Sequence, residues 1–159
     1  MRPNAPPPAP PAGLLRRLAA MIYDALLLFG VLCGASALAI GLTVAAMGSA
    51  AFTAHNPLPD SLVFRLYLLL VCFGFYGWFW THGGQTLGMR AWKIRIQDRS
   101  GAPVAWSQAL RRFLAALFSW LCLGLGFLWM LVDRERLTWP DRFSATVLVL
   151  NPLPSPPPS

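Results

Sequence analysis

Arg17 and Asp24 stand seven residues apart. On an α-helix that is about two turns, so both lie on one face, roughly 10.5 Å apart along the axis. Asp24 falls inside an apolar run, and no further charge follows it until Asp60. A carboxylate at the hydrocarbon edge is costly unless it is paired or protonated. Asp24 should therefore face protein or a water-filled cavity. Arg111, Arg112 and Arg142 are the candidate partners, and Arg111 with Arg112 could also hold anionic lipid headgroups. Three uses of Asp24 stand open: a proton or cation site, a substrate-pairing group, or a structural ion pair that docks the first helix on the others. Other chemistry is sparse. There are two histidines and no Ser-His-Asp set, so no catalytic residue and no enzyme activity are expected. Cys33, Cys72 and Cys122 are dispersed through apolar runs, without metal-ligand spacing, so no metal and no cofactor are expected. Residues 83–90, Gly-Gly-Gln-Thr-Leu-Gly-Met-Arg, are glycine-rich. They lack phosphate-loop spacing and a preceding strand, and read as a tight turn at a membrane surface.

The elements that must position these residues are membrane helices. Of 159 residues, 56% are hydrophobic and 12% charged, against roughly 25% charge in a soluble domain. That balance argues against a water-soluble globule. The net charge of +7 fits cationic loops beside a lipid bilayer better than nucleic acid binding. Three apolar segments, about 18–46, 62–81 and 113–132, each reach the 20 or so residues that a span requires, the first with length to spare for tilt. Proline-rich ends, residues 1–12 and 151–159, read as disordered tails around a membrane domain at 13–150. Asp24 and the long apolar continuation argue against a cleaved signal peptide in the first segment.

Arg2, Arg16 and Arg17 precede the first segment, the loop at about 47–61 has no Lys or Arg, and the loop at about 82–112 has six. The positive-inside rule then puts the N-terminus and the second loop in the cytoplasm. The third segment either crosses or returns as a re-entrant pair around Leu-Gly-Leu-Gly at 123–126. Two observations favour the return. A simple crossing would place Arg134, Arg136 and Arg142 outside. The alternating stretch Trp92 to Gln97 and the β-branched stretch Ala145 to Leu150 would pair most naturally in one compartment. The expected fold is an all-α membrane protein of two to three transmembrane helices with a small cytoplasmic β-hairpin-like insertion.

Three ordered motifs resemble the RDD family of bacterial membrane proteins. The first is Arg16 to Asp24. The second is Gly84 to Arg90, followed by Lys93 to Asp98 and Gly101. The third is Arg136 to Val147. The resemblance covers about residues 13–150 and implies that Arg17, Asp24 and Asp141 are the arginine and two aspartates for which the family is named. Trp139-Pro140 departs from the pair that often precedes the second aspartate, and Lys93 and Arg95 add charge to a stretch that is often apolar. The family is described as having three transmembrane segments. Transport, including sodium–proton exchange for some members, has been suggested for it. The resulting expectation is a multi-pass inner-membrane protein that moves an ion or small solute as a homo-oligomer. In it Asp24 binds the cation or proton, Arg17 tunes it, and Asp141 orders a cytoplasmic gate. The alternative is a non-transporting structural or adaptor subunit with membrane-protein partners.

Overall fold

The computed structural model describes residues 10–150. The first apolar segment forms helix α1, Leu14–Met47, followed after Gly48 by a short helix α2, Ser49–Ala54. The second forms α3, Leu62–Thr81, which starts where the Ser61 hydroxyl accepts the Phe64 amide. These two helices, of 34 and 20 residues, are long and apolar enough to cross a membrane. Their burial is confined to one end. In α1 only Arg17, Ala20 and Asp24 are buried, and in α3 only Gly77 and Trp80. Ala25 to Ala46 carries no charge and, at 1.5 Å per residue, covers about 33 Å, close to the bilayer core. Lipid is the solvent that such an exposed apolar surface fits.

At the buried end the remaining elements form a cap. Helix α4, Leu87–Ala91, packs on α1, and strand β1, Ile94–Asp98, follows it. Asp98 Oδ1 accepts from the Ser100 amide, the Ser100 hydroxyl and the Ala102 amide, which closes a turn after β1. Helix α5, Trp106–Leu121, packs on α3. A short return arm follows, made of α6, Leu125–Leu128, and a 3-10 turn, Trp129–Leu131. Helix α7, Trp139–Ser144, leads into β2, Thr146–Leu150. β2 pairs antiparallel with β1, with Ile96 opposite Leu148. The sheet is therefore closed through the whole α5–α7 segment rather than through a tight hairpin turn. A third stretch joins it: Pro11 bridges Val149, the Ala12 amide donates to Leu148, and the Leu150 amide donates to Pro10. Residues 10–12, placed by sequence in the N-terminal tail, thus edge this sheet. The rest of both proline-rich tails lies outside the described residues.

The third apolar segment is broken. α5 and the return arm meet at 109°. Leu123 and Gly124 both adopt positive φ, 56° and 80°, and the Gly124 amide turns back to Ser119 O at 2.8 Å. Gly126 lets the return arm close, because a Cβ there would stand 2.8 Å from the Trp139 ring. Leu121, Leu123, Leu131 and Val132 around the bend are exposed, as suits a segment dipping into lipid. The hydrogen-bonded sheet fixes the topology. β1 and β2 must share one side of any bilayer crossed by α1 and α3, so the broken segment returns to the side it left. With Cys33, Cys72 and Cys122 replaced, single cysteines at Ser100 and Glu135 should react with an impermeant maleimide from one side of the membrane, and one at His55 from the other. Labelling of positions 135 and 55 from the same side would contradict this topology.

Candidate functional site

Asp141 sits at the start of α7, where Thr138 and Asp141 form a reciprocal cap. The Thr138 hydroxyl accepts the Asp141 amide at 3.3 Å, and the Asp141 carboxylate accepts the Thr138 amide at 3.0 Å. Pro140 fits because the first helical turn needs no donor there. The cap aims the carboxylate into the fold, where it is fully buried. Two arginines meet it. Arg17 of α1 donates from Nη1 to Oδ2 at 2.5 Å, and Arg112 of α5 donates from Nη1 to Oδ1 at 2.6 Å. Arg17 Nε also donates to Ala12 O at 3.0 Å, and Arg112 Nη1 to the Thr146 hydroxyl at 2.7 Å. Arg112 lies 5.6 Å over the Trp80 ring. One carboxylate thereby ties α1, α5 and α7 to the central strand β2 and to the edge stretch at Ala12. Burial alone would raise the Asp141 carboxyl, but the charges of Arg112 and Arg17 overcome it and hold the group at about 2.

Asp24 is a separate centre. Its Oδ2 accepts the Thr86 hydroxyl at 2.5 Å, and its Oδ1 accepts the Gly88 amide at 2.9 Å. The glycine-rich stretch after α3 builds this cradle. Gly84, at φ 69°, turns the chain against β1, where a Cβ would strike Ile96 O. Gln85 Nε2 donates to Ile94 O at 2.8 Å. The Thr86 hydroxyl caps α4 by accepting the Met89 amide and at the same time donates to Asp24. Gly88 must be glycine, since a Cβ would meet Ala20 O and stand 2.8 Å from Asp24 Oδ1.

Three sequence-based pairings therefore need correction. Asp24 contacts none of Arg17, Arg111, Arg112 or Arg142, and among the described residues it has no ion-pair partner. Arg111 bonds its own helix at Ser107 O, 3.3 Å. Arg142 pairs with Asp133, whose carboxyl the Leu137 amide and Arg142 hold below its ordinary range. The physical reason is supply: neutral donors from the turn satisfy Asp24, while Asp141 takes both buried arginines. Thr86, Gly88, Trp80 and Thr146 escaped sequence reasoning. The only available signal was the threonine between two glycines in residues 84–88.

The chain matches the RDD family over residues 11–145. The chain belongs to the RDD family. Comparison with curated proteins and with solved structures gave no match. The Arg17, Asp24 and Asp141 of this RDD protein all lie at the buried end, in two centres rather than one. Between α1, α3 and α5 a cavity of about 470 Å³ runs beside both, and Arg17, Asp24 and Arg112 contribute to its wall. Among the described residues, no cluster of His, Cys, Asp or Glu could hold a metal ion.

Removing the Asp141 charge strands two buried arginines. Asp141→Asn should destabilise the fold by about 3–5 kcal/mol, read as a lower unfolding midpoint in detergent. The pH dependence has a fixed sign. The folded-state value lies below the ordinary 3.8, so this stabilisation is complete above about pH 4 and is lost as pH falls through about 2. The wild type should show that acid-labile component and Asp141→Asn should lack it. Equal acid profiles would contradict the assignment.

Proposed function

We propose that this RDD protein exchanges a proton or monovalent cation across the cytoplasmic membrane, with Asp24 as the exchanging group. The single observation that carries the reading is a charged residue of α1, Asp24, buried beside a cavity with no cation among the described residues paired with it. Thr86 and Gly88 each occupy one site on the carboxylate, and a carboxylate offers about four. The remaining lone pairs suit a proton or a small cation. Arg17 does not tune Asp24 directly in this scheme. The Arg17–Asp141–Arg112 cluster instead holds the cap rigid beside it.

Two spanning helices and a re-entrant pair are too few to enclose a path, so copies of the chain would share one. Gly30 and Gly34 support such an association: they lie four apart on α1, and nothing stands within 4 Å of a Cβ built at either. The positive-inside rule, applied to Arg90, Lys93, Arg95, Arg111 and Arg112, supports a cytoplasmic cap and a cytoplasmic N-terminus.

The test is purified protein in liposomes containing a pH-sensitive dye. A sodium or potassium pulse should move internal pH in the wild type, and Asp24→Asn should reduce the initial rate at least about tenfold. Should that variant fold poorly, Thr86→Val keeps the carboxylate and should shift the pH at half-maximal rate. An unchanged rate in a folded Asp24→Asn protein would overturn the proposal. So would a silent wild type, which would instead favour a non-transporting adaptor subunit that co-purifies with membrane partners.

A further inference from the structure

The buried charges of the cap do not sum to zero. Arg17 and Arg112 share the single carboxylate of Asp141, which leaves one positive charge over. Among the described residues no other acid pairs with either arginine. Asp24 does not take that place. It stands roughly 10.5 Å along α1 from Arg17, and its oxygens bond Thr86 and Gly88. A buried charge without a counterion is costly.

The excess charge has unused donors, and they belong to one residue. Arg17 engages all three of its guanidinium nitrogens, with Ala12 O, Asp141 and Leu148 O. Arg112 makes both of its hydrogen bonds, to Asp141 and Thr146, through Nη1. Its Nε and Nη2 have no partner among the described residues. Neither is sealed in the packing, as Trp80 Nε1, Arg95 Nε and Ser119 Oγ are. The Arg112 side chain keeps 9% of its surface open and lines the cavity between α1, α3 and α5. The Nε–Nη2 edge of a guanidinium presents two parallel N–H groups, the geometry that grips two oxygens of a carboxylate or phosphate. Arg111, exposed and bonded to its own helix, takes no part.

The shape of the cavity says what carries that anion. Away from the cap it is lined by Leu28, Leu32, Leu69 and Leu117. The Arg112 guanidinium lies 5.6 Å over the Trp80 ring. Trp80 and Leu69 are eleven residues apart on α3, about 16 Å along the axis. The volume of about 470 Å³ falls within the roughly 300–1,000 Å³ of small-molecule sites. A free anion would leave the apolar length unfilled, and a cationic head would add to the excess charge.

We propose that this cavity binds a single-chain anionic amphiphile. Nε and Nη2 of Arg112 hold its carboxylate or phosphate head, and its hydrocarbon chain lies along Leu28, Leu32 and Leu69. The head supplies the negative charge that the two arginines lack. The site does not require Asp24 to exchange ions.

Native mass spectrometry of the full-length protein, released from detergent, reads the site directly. Dodecanoate and dodecyl phosphate, titrated separately, should give a saturable single adduct for at least one of the two, and that one names the head. The same chain as methyl dodecanoate or dodecyltrimethylammonium should bind at least about tenfold more weakly. Arg112→Lys keeps a charge for Asp141 but loses the two-nitrogen edge, and should weaken the adduct about tenfold. Should that variant fold poorly, Leu32→Trp fills the cavity well beyond the cap and should abolish the adduct. Three results would overturn the proposal: no saturable adduct with either anion, equal binding of the uncharged ester or the cation, or unchanged binding by folded Arg112→Lys or Leu32→Trp.

Discussion

Asp141 held between two arginines is the constraint on which the cap depends. Its carboxylate is fully buried and its partners come from α1 and α5. Desolvating three charged groups is expensive, and attraction between them offsets this only when the geometry is good and the remaining donors are satisfied. Here the Thr138 amide, Ala12 O and the Thr146 hydroxyl complete much of the set. The arrangement specifies position as well as stability. If α7 rotated, or α1 slid by a turn, at least one arginine would be left buried without its anion.

The rest of the molecule follows from placing all of its polar construction at one end. Beyond Asp24, α1 buries none of its residues, and α3 buries only Gly77 and Trp80. Those surfaces are stable against lipid and would be unstable against water. The broken α5–α6 segment satisfies its freed backbone locally, through the Ser119 and Cys122 carbonyls, which is what non-helical backbone at membrane depth requires. The cap therefore works as a lid on a short bundle, and the cavity beneath it is polar on one wall and apolar along its length.

Much of this was readable in the sequence, for physical reasons. Charge-free runs of sufficient length report spans directly, and β-branched or alternating stretches flanked by turn residues report strands. For the third segment the sequence favoured a return without deciding it, because the two strand-like stretches pair most naturally in one compartment. The pairing of the charges was not. Helical spacing places Arg17 and Asp24 on one face, but says nothing about which distant group reaches each. A turn glycine can turn its amide on a carboxylate and supply a hydrogen bond without a charge, and Gly88 carries nothing in its side chain to announce that role. Likewise the proline run concealed that Pro10 to Ala12 edge the sheet, because proline contributes carbonyl acceptors even where it lacks a donor.

Whether the three charges form one unit is tested most directly by replacing them singly and together. Arg17→Met, Arg112→Met and Asp141→Leu are measured alone and as a triple variant, with unfolding free energy read in one detergent. If the charges are coupled, Asp141→Leu strands two buried arginines, each arginine change leaves Asp141 with one of its two partners, and the triple strands none. The triple variant should then lose less stability than the single losses added together, by about 2 kcal/mol or more. Losses that add to within about 0.5 kcal/mol would contradict the account.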